Sequence, residues 1–186
     1  EYFAISLLAS GDKEIIQDEL LTNAPKVALA LAEHFANPGV IQTEKWVDVN
    51  LDQKYGKHNI NLKIHGQMDA ILEQEKKVLV FDYKTREALS VNAIKGETKD
   101  SDGNYFRQLI FYKMLLSENS SYREKEIEPA LVFVKPDDKG RCPTIALPIS
   151  ISDIERVKGE ISTLIQSVYA GEFLDEKCGD KDCEYC

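Results

Sequence analysis

Histidine, tryptophan and cysteine are scarce: three, one and four of them among 186 residues. Three of the cysteines, Cys178, Cys183 and Cys186, fall in the last nine residues. That is the spacing of a metal-binding tail, and it excludes a disulfide framework spread through the chain. Positive charge is also short, with 23 Lys and Arg against 32 Asp and Glu and a formal net charge of −9. A protein that holds nucleic acid by its overall field needs the opposite balance, because backbone binding places Lys and Arg against phosphates. An acidic domain can still receive nucleic acid from a neighbouring domain. No apolar run approaches the roughly 20 residues that span a bilayer, so no membrane partner is expected. Residues 1–9 are briefly apolar but lack a basic flank, and no signal peptide is read there. The expectation is a cytoplasmic protein.

With 43% hydrophobic and 30% charged residues, the chain has the composition of a soluble globular domain. Its length suits a single domain, residues 1–186. It does not begin with Met and stops inside the cysteine cluster, so the expectation is a fragment of a larger protein. There is no internal repeat. Residues 12–36 predict a helix, broken or restarted at Pro25. Strands are predicted over 41–51, 58–73 and 78–84, the last apolar enough for a central position covered on both faces. Residues 86–103 are polar, carry Gly96 and Gly103, and read as a mobile loop bordering a site. A helix over 104–118 carries Tyr105, Gln108, Leu109, Tyr112 and Leu116 on one stripe. Strands at 127–135 and 142–149 follow. A last helix is predicted with Ser152 and Glu155 as its capping box and Ile154, Val157, Ile161, Leu164, Ile165 and Val168 as its buried stripe. Trp46, Phe81, Phe106, Phe111 and Phe133 sit at core periodicities. The order α-β-β-β-α-β-β-α implies an α/β fold, a central mixed sheet flanked by helices.

The chemistry points to the third strand. Asp82 and Lys84 share one strand face and Tyr83 points away. A carboxylate and an ammonium after Val78 and Val80 are a poor choice for filling a core. Together they suit a divalent cation and a phosphate oxygen or water. With the turn centred near residues 75–76, Asp69 lies opposite Asp82, and two facing carboxylates repel unless a cation lies between them. Taken alone, Asp-x-Lys also fits a salt bridge on a half-exposed strand, with Asp69 a turn residue.

Five pieces in order resemble the RecB-like nuclease domains of the PD-(D/E)XK superfamily, especially those at the C-terminal end of superfamily 1 (UvrD/Rep-type) DNA helicases. These are Glu44-Lys45, Gly66-Gln67-Met68-Asp69, Val80-Phe81-Asp82-Tyr83-Lys84-Thr85, Gln108-Leu-Ile-Phe-Tyr112 and Cys183-Glu-Tyr-Cys186. The resemblance covers about residues 27–186. It implies the restriction-endonuclease-like fold and metal-assisted hydrolysis of DNA. Asp69, Asp82 and Lys84 would be catalytic. Asp69, Asp82 and the backbone carbonyl of Tyr83 would hold Mg2+ or Mn2+. Glu44, Gln108 and Tyr112 would support the site or contact the DNA backbone. The implied partners are DNA and a helicase domain in the same chain or complex, in DNA repair or recombination.

Two departures stand out. The family's metal-binding histidine precedes its first strand, and here only His34, His58 and His65 are available. His34 reads as a surface or capping residue. His65 shares a face with Asp69 by alternation but lies about 13 Å away along the strand. The family histidine is therefore expected upstream of Glu1. The tail supplies Cys178, Cys183 and Cys186, whose spacing suits zinc or a 4Fe-4S cluster with a fourth ligand elsewhere in the parent protein. Cys142 is expected to be a buried structural residue in a strand. Two other functions fit the same residues: a nuclease-like docking or DNA-binding module without activity, and a stand-alone CRISPR-associated RecB-like exonuclease.

Overall fold

The computed structural model describes residues 10–172. Helix α1 (Ser10–Leu31) leads through a 3-10 turn (Ala32–Ala36) into strand β1 (Val40–Tyr55). Then come β2 (His58–Glu73), β3 (Lys77–Lys84), the short helix α2 (Val91–Lys95), α3 (Asn104–Glu118), β4 (Glu126–Phe133), β5 (Thr144–Ala146) and α4 (Ile151–Ala170). The five strands lie in the order β1-β2-β3-β4-β5. Among the described residues only β3 and β4 pair in parallel, with α2 and α3 making the crossover between them. The sheet is therefore mixed, as the order of elements implies.

β3 is the central strand because both of its faces are apolar. Val78 and Val80 join the cluster beneath α3 with Ile71, Tyr112 and Leu116. Leu79 and Phe81 point the other way, into a cluster with Leu31 and, at its edge, Val27 of α1. Burying a side chain of this size contributes roughly 1.5–3 kcal/mol, so a helix is held on each face. α4 packs on α3 through Val157, Ile110 and Met114. The close approach of α3 depends on Gly66, where an added Cβ would lie 2.8 Å from Cδ1 of Leu115.

Several expectations need correction. α1 runs through Pro25 without a break. Pro25 is exposed, so the Leu21 carbonyl that loses its helical partner can be solvated instead. The strand expected over 142–149 shrinks to Thr144–Ala146. Cys142 precedes it and is buried, its thiol donating to the Val134 carbonyl at 3.3 Å. The capping box of the last helix is Ser150 with Asp153, not Ser152 with Glu155. On that helix Leu164 and Val168 are exposed and only Val157 and Ile165 are fully buried. Trp46 is 56% exposed and meets the His65 ring at a tilt of 54° rather than filling the core.

The segment 86–103 is not a loop throughout. Ser90 caps α2, and Ile94 is fully buried with Leu109, Leu131 and Phe133. Gly96 and Gly103 both have positive φ, 80° and 70°. A Cβ on Gly96 would meet the Gly103 nitrogen at 2.8 Å and its Cα at 2.9 Å. The two glycines thus close the neck of the loop between them. Gly96→Ala should destabilise the protein by about 1–3 kcal/mol, through strain at positive φ and collision at the neck. Gly140 also has positive φ, 73°, but open space around it, so Gly140→Ala should cost less. Thermal melts compare the two. Equal losses would mean that the neck yields freely.

Candidate active site

β2 and β3 pair over Ala70↔Phe81 to Glu73↔Val78. The next step of this register sets Asp69 opposite Asp82, as the turn position implied. There the ladder stops. Instead of a backbone bond, the Asp69 carboxylate accepts a hydrogen bond from the Tyr83 N–H, 2.8 Å, Oδ2 to N. On the other side of β2, the pairing with β1 skips from Thr43↔Ala70 to Lys45↔Met68. Glu44 stands at the skipped step with φ of 51°. Alternation breaks here: Met68 lies in the cluster under α3 and Ala70 in the cluster under α1. A strand of fixed phase would keep them on one face. His65 and Asp69 therefore cannot be placed on a common face by counting.

Asp82 is 3% exposed. Its Oδ1 accepts from Gln108 Nε2 at 2.9 Å and from the Tyr112 hydroxyl at 3.0 Å. Gln108 Nε2 also donates to the Tyr112 oxygen at 2.8 Å, and Gln108 Oε1 accepts from Lys84 Nζ at 2.9 Å. One amide thus reads three partners at once, and its orientation is fixed by them. Lys84 Nζ lies 2.5 Å from Asp82 Oδ2. That contact is an ion pair without hydrogen-bond alignment, and Oδ2 is left with no hydrogen-bond partner although it is buried. The Lys84 ammonium also sits over the Tyr105 ring, 4.8 Å from its centroid.

Burial pushes the Asp82 carboxyl above its ordinary value. Lys84 and the Tyr112 hydroxyl pull it back in part, and the Asp69 charge adds to the rise. Tyr112 is raised as well, first by burial and then by the Asp82 charge. Its hydroxyl therefore keeps its proton and remains a donor to Asp82.

The fold thus brings Asp69, Asp82, Lys84, Gln108 and Tyr112 together, with the Tyr83 peptide between the two carboxylates. Glu44 is next to them but turned aside, its Oε2 accepting from Gln67 Nε2 at 2.7 Å. His34 packs its ring at a tilt against Phe81, on the sheet face opposite Asp82, and does not join the site. Cys178, Cys183 and Cys186 lie outside the described residues. Tyr105 is the contact that sequence reasoning missed. It stood on the right stripe, one turn before Gln108, but nothing local said that its ring would face Lys84.

Among the described residues, no three His, Cys, Asp or Glu side chains converge as a ready metal cage. The donors that are present still fit a hard cation. Mg2+ is commonly bound through one or two carboxylates, with water and substrate phosphate completing its shell. Asp69 and Asp82 supply two carboxylates, and Asp82 Oδ2 is buried with its charge met by the Lys84 ammonium alone.

The family described as the PD-(D/E)XK nuclease superfamily matches residues 6–186. The chain belongs to the PD-(D/E)XK nuclease superfamily. Its members are generally nucleases and typically use Mg2+ or Mn2+, and the mixed sheet with helices on both faces is the α/β fold of that superfamily. The nuclease domain is also similar to the solved structure titled "Crystal structure of SSO0001", with 20% identity and a TM-score of 0.40. That match covers 78% of this chain and 58% of the other, so the chain spans less than two thirds of that structure's length. A search of the curated proteins gives no match. Among the described residues of this PD-(D/E)XK domain, no helix is long and apolar enough to cross a membrane.

Proposed function

We propose that this chain is a metal-dependent deoxyribonuclease domain of the RecB-like branch. It hydrolyses phosphodiester bonds as the C-terminal part of an ATP-dependent helicase–nuclease in DNA repair or recombination. The observation that carries the reading is the group Asp69, Asp82 and Lys84, oriented by Gln108 and Tyr112 at the point where β2 and β3 part. Residues 1–186 form the domain. Cys178, Cys183 and Cys186 belong to a zinc or 4Fe-4S centre of the longer protein, a role supported by their spacing alone.

Asp69 and Asp82, with the Tyr83 carbonyl, are the residues to hold Mg2+ or Mn2+. The chemistry such an ion would supply is Lewis-acid charge toward a phosphoryl oxygen and a lowered pKa for water. The protein's own groups prepare the ground. The Tyr83 N–H fixes Asp69. Gln108 and Tyr112 fix Oδ1 of Asp82 and so hold Oδ2 against Lys84. An ammonium has three donors. In Lys84, Gln108 takes one and Asp82 neutralises the charge, which leaves a donor to orient the attacking water or a phosphate oxygen.

The test is cleavage of single- and double-stranded DNA by the protein. Strand scission is expected with Mg2+ or Mn2+ and none in excess EDTA. Equal cleavage in EDTA would overturn the reading.

A further inference from the structure

Beyond the carboxylates, the structure holds a cavity of about 860 Å3 where β3 ends. Its size falls in the range of about 300–1,000 Å3 usual for ligand sites. Arg86, Ala93, Lys99, Ser101 and Tyr105 are among its walls. Tyr105 is shared ground: the same residue meets the Lys84 ammonium and lines the cavity. The cavity therefore adjoins the candidate active site, with Tyr105 between them. Arg86 follows Lys84 by two residues, which places their Cα atoms at most about 7 Å apart.

The charges are telling. The chain has five arginines, all among the described residues. Arg107, Arg123, Arg141 and Arg156 each pair with a carboxylate. Arg86 alone makes no ion pair among the described residues, on a protein with a surplus of nine negative charges. Lys99 across the cavity makes none there either, whereas Lys84 at the active site is paired. Two acidic residues also line the cavity. Asp102 is engaged, its carboxylate accepting from the Asn104 backbone N–H at 2.9 Å. Asp100 makes no hydrogen bond or ion pair among the described residues and lowers the net charge of the wall. A guanidinium presents a planar fork of donors that matches a phosphate, and the half-buried Tyr105 side chain in the same wall can meet a sugar or base.

We infer that this cavity binds the phosphate backbone of a nucleic-acid strand next to the bond being cut, with Arg86 and Lys99 each on its own flanking phosphate and Tyr105 as the wall toward Lys84. The inference rests on the nuclease reading for the position of the cut, but the cavity's affinity for a strand can be measured without cleavage. It also resolves the acidic composition. The chain has no basic field, so its grip on a strand comes from two unpaired cations placed beside the chemistry.

The experiment is fluorescence anisotropy of a labelled single-stranded oligonucleotide with the full chain in EDTA, across a salt series. Arg86→Ala and Lys99→Ala should each weaken binding about ten-fold, the scale of a lost charged hydrogen bond. Each should also lower the slope of log K against log salt by about 0.7, the contribution of one phosphate contact on a single strand. Arg123→Ala, which removes the same charge at the far end of the sheet, should leave both quantities nearly unchanged. Arg86→Lys should restore part of the affinity, since the charge returns without the fork. Inorganic phosphate at the same concentration should compete weakly, because a free ion lacks the stacking partner for Tyr105. If Arg86→Ala and Arg123→Ala act alike, the cavity is no strand site and only the general field matters. If phosphate competes as well as the oligonucleotide, the cavity is a simple anion site and the inference fails. Binding that depends on Arg86 in a protein that never cleaves would sink the nuclease reading and leave the cavity standing. Cleavage with normal binding by Arg86→Ala would do the reverse.

Discussion

Replacing Lys84 with alanine should reduce metal-dependent cleavage by about 10²–10³-fold, the usual cost of removing one group that stabilises developing charge. Lys84 touches Asp82, Gln108 and the Tyr105 ring, and no other ammonium among the described residues is recorded against these three groups. Its loss also removes the neighbour that most lowers the Asp82 carboxyl. In the metal-free protein Asp82 should then hold its proton to still higher pH. The fold should survive, because β3 is anchored by Val78, Leu79, Val80 and Phe81. Lys84→Met keeps the aliphatic stem against its neighbours and guards against a packing artefact. Circular dichroism and a cleavage assay together decide the matter. A variant that folds and cuts at the wild-type rate would make Lys84 a structural residue.

The second large effect belongs to Asp82→Asn, and it runs in two directions. Cleavage should fall by a similar factor of about 10²–10³, with weakened Mn2+ affinity in a calorimetric titration, because an anionic ligand is gone. Stability of the metal-free protein should rise. In the folded chain the Asp82 carboxyl titrates above its ordinary value of 3.8 because burial disfavours its charge. The folded state then binds more protons than the unfolded state between those two values, so stability falls as the pH rises through that window. Asparagine carries no such cost. Melts in EDTA should show wild type and Asp82→Asn nearly equal below pH 3.8 and diverging above it, with the variant more stable at neutral pH. A variant that melts lower at neutral pH would show that the ion pair with Lys84 outweighs the burial of Asp82.

The site was legible where it obeys short-range geometry. The period of two along β3 put Asp82 and Lys84 on one face and Tyr83 on the other. The charged turn at 74–77 fixed the register that set Asp69 against Asp82. Helical spacing joined Gln108 to Tyr112. What could not be read depends on contacts made at a distance. The positive φ of Glu44 and the break in alternation at Asp69 arise because two strands change phase at the same step. Trp46, Leu164 and Val168 lie at core periodicities, yet no element among the described residues covers them, and periodicity says only which residues share a face. Ser150 and Ser152 both precede the apolar stripe of α4, and only the Asp153 side chain turning back to Ser150 decides between them. Pro25 misleads because its cost depends on whether the freed carbonyl meets water.

The closed neck at Gly96 and Gly103 has a bearing on how this domain can vary. Where two backbone strands touch at the base of a loop, the rest of the fold does not register how long the loop is. The entropy of closing a longer loop grows only slowly, by about 0.6 kcal/mol for each doubling. Residues added or removed between Thr98 and Asp102 therefore leave α2, α3 and β3 in place while changing how far Lys99 reaches. The neck makes this stretch an interchangeable cassette, a place where substrate reach can be retuned, or a reporter inserted, without rebuilding the carboxylates beside it.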